Sequence, residues 1–147
     1  MKGTYVLVIE LPEDDRIRVG ALGVVAFPRG HYAYVGSAQG GIEQRVSRHK
    51  SKRKKKRWHI DYLLDRAEVV STVLVPWGGK EVECRVAQAL MDVRGVRVVA
   101  RGFGSSDCRC GSHLFYFGPA DEAQGPLEDA LSKLCTLESV YPRSAEQ

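Results

Sequence analysis

The residues best suited to chemistry fall in three segments of the first third of the chain. A Gly-Thr-Tyr segment ends at Tyr5, and a Tyr-Val-Gly segment begins at Tyr34. Arg45 and His49 lie on a predicted helix, where a spacing of four residues places both side chains on one face. Arginine presents forked donors that suit phosphate oxygens, and histidine and tyrosine can carry protons. This set of residue types is compatible with hydrolysis of a phosphodiester bond.

A carboxylate would complete such a site by binding a divalent cation. Glu81 and Glu83 both lie on the helix predicted over about Lys80–Val93, and they project about 200° apart around its axis. One carboxylate can hold a hydrated Mg²⁺, which keeps several of its waters and takes further oxygens from a substrate phosphate. Such an ion would stabilise the charge on phosphorus and on the leaving 3′ oxygen.

In their order along the chain these segments resemble the GIY-YIG nuclease superfamily. The Gly-Thr-Tyr segment corresponds to the first family motif and the Tyr-Val-Gly segment to the second. Arg45 corresponds to the family's helix arginine, and His49 to a histidine one turn later in many members. The resemblance implies that Glu83 is the single metal-binding carboxylate. Glu83 is favoured over Glu81 because its Glu-Cys-x-x-Ala context is similar to a branch of the superfamily.

That branch is a small stand-alone one, the Uri-type endonucleases, some of which are fused to endonuclease III. The stretches that resemble it are GHYAYVGSAQGG, RVSRH, WHIDYLL and GFGSSDCRCGSHLFYF. The branch resemblance extends to Phe117, and the superfamily core covers about Gly3–Leu90. Two features depart from the superfamily pattern: an extra strand over Val19–Phe27 lengthens the segment between the motifs, and Thr4 replaces the usual isoleucine.

The resemblance implies a metal-dependent endonuclease that cleaves DNA, with a role in DNA repair or processing. It places Tyr5, Tyr34, Arg45 and His49 around the scissile phosphate, with one Mg²⁺ or Mn²⁺ on Glu83. Tyr5 would be the general base, which requires a phenol pKa shifted strongly from its ordinary value of about 10. His49 would relay a proton or orient the phosphate, and Tyr34 would hydrogen-bond within the site.

Positive charge is concentrated in one segment. The chain carries 22 basic and 18 acidic residues, a net charge of +4, and Lys50–Arg57 holds seven of the basic ones. The remainder therefore has 15 basic against 18 acidic residues, so a basic segment lies on a mildly acidic body and predicts contact with a polyanion. The alternative is a solvated segment that only aids solubility. We expect nucleic acid, DNA in preference to RNA, to be bound by Arg48, Lys50, Lys52, Arg53, Lys54, Lys55, Lys56 and Arg57.

Four cysteines are too few in 147 residues to indicate a disulfide scaffold, so we expect reduced thiols and a cytoplasmic protein. Cys108, Cys110 and His113 form a C-x-C-x-x-H pattern, with Cys84 as a distant fourth ligand. The C-x-C pair is strained as two ligands of one tetrahedral site, and there is no second C-x-x-C pair. We therefore expect a tight loop, with structural hydrogen bonds from Asp107 and His113, in preference to a zinc site. His59 and Asp61 are expected to cap or pack rather than to reach substrate.

The elements that must position these residues predict a small α+β domain. Its central antiparallel sheet begins with an N-terminal meander and is flanked by helices. We expect one nuclease-like unit over residues 1–118 and a helical extension over 119–147 packed on it. The predicted strands are Thr4–Leu11, Val19–Phe27, His31–Ser37, Val69–Val75, Val96–Ala100 and Leu114–Phe117, after a turn at Pro12–Asp15. The predicted helices are Ile42–Lys50, Trp58–Arg66, Lys80–Val93 and a last one that starts at Pro126.

The longest apolar run, Ala21–Phe27, has seven residues, far fewer than the roughly 20 of a membrane-spanning helix. The first predicted strand begins directly after the N-terminus, so no signal peptide is expected. The small size leaves little room for target recognition, and a partner protein is expected to supply it. Two alternatives remain open: a catalytically inactive nucleic-acid-binding module with the same fold, and a zinc-stabilised interaction domain.

Overall fold

The computed structural model describes residues 3–38, 41–52, 55–75, 80–105 and 110–140. It has the predicted α+β class. In chain order the strands are β1 (Gly3–Leu11), β2 (Asp15–Arg18), β3 (Val24–Phe27), β4 (Gly30–Ala38), β5 (Glu68–Val75) and β6 (Leu114–Gly118). The helices are α1 (Ile42–Lys50), α2 (His59–Leu64), α3 (Lys80–Met91) and α4 (Ala120–Val140).

A four-stranded antiparallel sheet of order β5-β1-β4-β6 forms the centre of the fold. The central pair is β1 with β4, in a register that places Tyr5 opposite Gly36 and Leu7 opposite Tyr34. Opposite residues of an antiparallel pair project to the same face, so both tyrosines lie on one side of the sheet.

Helices cover both faces of this sheet. Leu7 and Tyr34 belong to a core that also includes buried residues of α1 and α2. The adjacent strand residues Val6 and Val35 belong to a second core with buried residues of α3 and α4. The strand alternation thus divides the apolar residues between two layers, which explains why the central strands read as almost continuously hydrophobic.

The predicted N-terminal meander is wrong in its middle strand. The segment Val19–Phe27 is interrupted by a short 3₁₀ turn, with Gly20 and Gly23 at positive φ of 47° and 76°. Its second half, β3, pairs with β2 in a separate two-stranded sheet, and β2 begins at the last residue of the predicted turn. As a result β1 pairs directly with β4, with this hairpin inserted between them.

Two other predicted elements differ from the structure by more than two residues. The last helix begins at Ala120 instead of Pro126, since the Pro119 carbonyl already accepts hydrogen bonds from the first turn. The strand expected over Val96–Ala100 is reduced to one isolated bridge, between Arg97 and Tyr116. The basic segment does not extend α1, which ends at Lys50 as predicted.

Part of the predicted organisation falls on residues that the structure does not describe. Asp107 and Cys108 in the loop 106–109 lie outside the described ranges, as does the part of the predicted helical extension beyond residue 140. Within the described ranges, no helix combines the length and hydropathy that crossing a bilayer requires.

Asp61 joins α1 to the start of α2. Its fully buried carboxylate accepts hydrogen bonds from both terminal nitrogens of Arg48, at 3.0 and 3.1 Å, and from the backbone N–H groups of Arg57 and Trp58. Burial alone would raise the pKa of Asp61, but these donors outweigh it and hold the pKa below its ordinary value. The capping role expected from the sequence is confirmed, and it commits Arg48 to the fold.

Asp61→Ala is expected to lower the free energy of unfolding by about 3 kcal/mol, because it leaves Arg48 and two backbone donors without their acceptor. Chemical denaturation followed by circular dichroism measures the effect. Asp65→Ala is the control, since Asp65 is partly exposed and its ion pair among the described residues is with Lys56, and it should cost less than about 1 kcal/mol. Equal effects for the two variants would contradict this role of Asp61.

Candidate functional site

A cleft of about 420 Å³ opens at the end of the sheet where β1 begins and β4 ends. It is lined by four of the five residues expected to be catalytic, namely Tyr5, Tyr34, Arg45 and Glu83. The fifth, His49, is buried directly behind Tyr5. Residues from two strands and two helices on opposite faces of the sheet therefore meet at one opening.

The Tyr5 hydroxyl and Nε2 of His49 are 2.7 Å apart, a hydrogen-bonded pair that is buried from solvent. Burial raises the pKa of Tyr5 to about 12, which outweighs the lowering effect of the Arg45 guanidinium, while Glu83 and Asp61 raise it further. Burial likewise raises the pKa of Tyr34 well above its ordinary value. Both phenols are therefore protonated at neutral pH, and the lowered pKa that a simple tyrosine base would require is not found.

The glycine of the second motif is required by the ring of Tyr5. A Cβ atom built on Gly36 would lie 2.5 Å from both the Cζ and the hydroxyl of that ring. Any larger residue would therefore collide with Tyr5, which is only 2% exposed and has little space to move. This contact explains why tyrosine and glycine stand opposite each other in the β1–β4 pair.

Glu83 is held at the cleft by two partners. Ser37 Oγ donates to Glu83 Oε2 at 3.0 Å, and His113 Nδ1 lies 3.1 Å from Glu83 Oε1. The neighbouring Glu81 is exposed and pairs with Arg85 on the same helix. Of these two glutamates, only Glu83 lines the cleft, as the resemblance implied. Neither Ser37 nor His113 was among the residues expected to be catalytic, although Ser37 directly follows the second motif.

Arginine and tryptophan form the opposite wall. Arg45 donates to the Ser37 carbonyl at 3.1 Å, and its guanidinium carbon lies 4.6 Å from the centroid of the Trp58 ring. Arg57 also lines the cleft, and its guanidinium carbon lies 5.3 Å from the centroid of the same ring. Stacking on the indole orients guanidinium groups while leaving donors for an anion. Trp58 was expected only to begin a helix, and its position beside Lys50–Arg57 was the signal that could have identified it.

The basic segment is partly committed to the fold. Lys52 Nζ donates to the carbonyls of Leu64 and Ala67 at the end of α2, and Lys56 pairs with Asp65 at 2.8 Å. Together with Arg48 on Asp61, these cations have structural partners. The exposed basic residues described beside them are Lys50, Lys55 and Arg57, while Arg53 and Lys54 lie outside the described residues.

His59 holds the loop that closes one side of the cleft. Its Nδ1 accepts a hydrogen bond of 2.9 Å from the backbone N–H of Gly104, and both residues line the opening. Burial lowers the pKa of His59, which favours the neutral form that this acceptor role requires. His59 therefore positions the Gly104 loop, and it also lines the cleft, whereas the sequence analysis expected it to cap or pack.

A second group of metal-ligating residue types lies beside the cleft. One ligand atom each of Cys84, Cys110 and His113 lies within 4.8 Å of the others. Cys84 follows Glu83 on α3, and Cys110 and His113 belong to the segment that precedes β6. The fold thus brings Cys84, the distant fourth ligand of the sequence pattern, next to Cys110 and His113.

The oxygen donors at the cleft fit a hydrated magnesium ion. Glu83 offers one carboxylate and Ser37 a hydroxyl, and the opening has room for several waters and a phosphate oxygen. Mg²⁺ commonly binds through one or two carboxylates and keeps most of its hydration shell. The cysteine and histidine group, in contrast, offers soft ligands that suit zinc better than magnesium.

The protein is a small α+β domain in which helices cover both faces of an antiparallel sheet. A polar cleft at one end of the sheet is lined by tyrosine, arginine and glutamate side chains, and its arginines could bind an anion. The chain belongs to the DUF123 family, described as a domain of unknown function, whose sequence profile matches residues 4–136. No curated protein and no solved structure matched the chain.

Gly36→Ala is expected to lower the free energy of unfolding by about 1–3 kcal/mol, because the added methyl group must displace the buried Tyr5 ring. Gly125→Ala is the control, since no atom lies within 4 Å of a Cβ at that position in α4. Denaturation curves, with NMR of the Tyr5 ring, measure both variants. An unchanged Tyr5 environment in Gly36→Ala would contradict the contact.

Stability is expected to fall as the pH drops below about 6.5, because His59 has a lowered pKa in the folded state. The unfolded chain then binds the proton first, and the free energy of unfolding decreases until folded His59 is protonated as well. His59→Gln keeps an acceptor for Gly104 without titrating, so its stability should depend less on pH. Denaturation at several pH values compares the two proteins, and identical slopes would contradict the assignment.

Proposed function

We propose that this protein is a metal-dependent endonuclease that hydrolyses phosphodiester bonds in DNA. The observation that carries the proposal is the convergence of Tyr5, Arg45 and Glu83 on one cleft. These residues come from β1, α1 and α3. The GIY-YIG resemblance implies that the same three residues belong to one site. The exposed cations next to the cleft support a polyanionic substrate.

The phosphate would be held mainly by Arg45. Its guanidinium is oriented by the Ser37 carbonyl and by the face of Trp58, so little conformational freedom is lost when it meets an anion. Arg57 on the same indole would contact a flanking phosphate. Lys50 and Lys55, both exposed, would bind the backbone further away without regard to sequence.

Glu83 would hold one Mg²⁺ or Mn²⁺, with Ser37 fixing the carboxylate through its hydrogen bond. When bound, such an ion supplies charge stabilisation for the phosphorane and the leaving 3′ oxygen. Because Glu83 reaches the cleft from the face opposite Tyr5, the carboxylate and the phenol would lie on different sides of the scissile phosphate.

Tyr5 and His49 would share the proton of the attacking water. A free phenolate is unfavourable at a pKa of about 12, so the Tyr5 hydroxyl would take the water proton as its own proton passes to His49 Nε2. The water oxygen forms a bond to phosphorus, and the bond from phosphorus to the 3′ oxygen breaks. The leaving 3′ oxygen, on the side of phosphorus opposite Tyr5, would take a proton from solvent water, and His49 would afterwards return its proton through Tyr5 to solvent.

A role in DNA repair or processing belongs to the same proposal and derives from the resemblance. Cytoplasmic location is also proposed, because four cysteines in 147 residues do not indicate a disulfide scaffold. The few basic residues at the cleft favour contact with the phosphate backbone that does not depend on base sequence. A partner protein would therefore select the DNA target.

Wild-type protein is expected to nick supercoiled plasmid DNA in the presence of Mg²⁺ or Mn²⁺ and to be inactive with a chelator. Glu83→Ala should lower the nicking rate by roughly 100-fold or more, the loss typical when a charge-stabilising group is removed. Glu81→Ala is the matched control, because Glu81 lies two residues earlier on the same helix and is exposed, and it should keep full activity.

Two outcomes would contradict the proposal. One is the absence of metal-dependent cleavage on supercoiled, linear, branched and single-stranded DNA and on RNA. The other is undiminished cleavage in Glu83→Ala. Salt-dependent binding that survives Glu83→Ala, without cleavage by the wild type, would instead identify a catalytically inactive nucleic-acid-binding module.

A further inference from the structure

Beside the cleft, two cysteines and a histidine from separate parts of the chain form a compact group. Cys84 comes from the first turn of α3, and Cys110 and His113 from the segment before β6. The cysteines are partly buried and His113 is fully buried, so the group lies beneath the surface. Neither the family description nor the nuclease proposal assigns a role to these residues.

The spacing of the ligand atoms is close to that of a metal site. The three atoms lie within 4.8 Å of one another. Zinc binds sulfur at about 2.3 Å and nitrogen at about 2.0–2.1 Å. Around a tetrahedral zinc ion the ligand atoms are therefore about 3.5–4 Å apart. Small side-chain shifts of under about 1 Å would therefore close the group around a cation.

The ligand chemistry selects the cation. Two thiolates and an imidazole are soft and borderline ligands, which favour zinc strongly over the hard ions that bind carboxylates and water. Glu83 and Cys84 are consecutive on α3, so one helical turn presents an oxygen ligand to the cleft and a sulfur ligand to this group. The two positions would select different ions.

We propose that Cys84, Cys110 and His113 bind one zinc ion, which ties the segment before β6 to α3. The sequence analysis favoured a tight loop because the C-x-C pair of Cys108 and Cys110 is strained as two ligands of one tetrahedral site. The proposed group takes only Cys110 from that pair, so this objection does not apply to it. The fourth coordination position is left to solvent or to a further protein ligand.

The ion would also position Glu83. His113 Nδ1 lies 3.1 Å from Glu83 Oε1, and a histidine bound to a metal is commonly oriented by a carboxylate partner. Metal binding would fix the imidazole and, through it, one oxygen of the carboxylate that lines the cleft. We thus infer that the zinc is structural. Glu83 would contact the ligand His113 without touching the ion, and it also lines the cleft.

Metal content and cobalt substitution test the site independently of any nuclease activity. Full-length protein purified without a metal-affinity tag should contain about one zinc per chain, measured by inductively coupled plasma mass spectrometry. Replacement by Co²⁺ should give the thiolate-to-cobalt charge-transfer band and the intense visible bands of a tetrahedral site. Cys84→Ser and Cys110→Ser should each weaken zinc binding by at least about 100-fold, since even outer-shell changes cost roughly 10–100-fold.

Three further variants separate ligand loss from misfolding. Cys110→His supplies a new zinc ligand and should regain binding that Cys110→Ser loses. Cys135→Ser removes a thiol other than the three proposed ligands and should bind zinc normally. Glu83→Gln keeps all three ligands and should weaken zinc binding only by the roughly 10–100-fold that loss of an outer-shell partner costs.

Wild-type protein without zinc, and without tetrahedral cobalt bands after Co²⁺ addition, would overturn the proposal. Equal zinc loss in Cys135→Ser and Cys84→Ser would also overturn it, because binding would then not depend on this group. A zinc-loaded protein that never cleaves nucleic acid would support the zinc site while refuting the nuclease, so the two proposals fail separately.

Discussion

The close approach of the Tyr5 ring to the backbone of Gly36 sets the arrangement of the cleft. The two residues are opposite in the β1–β4 register, and the ring occupies the space where any side chain at position 36 would lie. The Tyr5 hydroxyl is thereby directed to His49 on α1. Because α1 follows β4 after a short connection, the same packing brings Arg45 to the end of the sheet. One steric constraint thus positions groups from three elements.

The site joins the two hydrophobic cores instead of belonging to one of them. Tyr5 and His49 approach from the α1 face, whereas Glu83 approaches from the α3 face, and Ser37 at the end of β4 touches groups from both sides. The Tyr5–His49 pair and the Glu83 carboxylate therefore lie on opposite faces of the sheet but meet at one opening. This separation lets burial keep the phenol neutral, while the carboxylate lies beside its polar partners Ser37 and His113.

Local patterns predicted much of this arrangement, and tertiary packing decided the rest. The helix Ile42–Lys50 and the strand around Tyr34 were predicted because side-chain periodicity and turn residues are encoded within a few positions. The hairpin at β2 and β3 depends on two glycines at positive φ, which interrupt an otherwise strand-like run. The proximity of Cys84 to His113 depends on how α3 packs, and counting charges could not reveal that Arg48 is held by Asp61.

The central claim is that the Glu83 carboxylate binds the catalytic cation at the end of β4. Paramagnetic broadening of backbone amide NMR signals by Mn²⁺ measures this without requiring a substrate. The account predicts selective broadening at Gly36, Ser37 and Glu83 that is lost in Glu83→Gln. Broadening that is unchanged in Glu83→Gln, or that centres on the exposed Glu81, would contradict it.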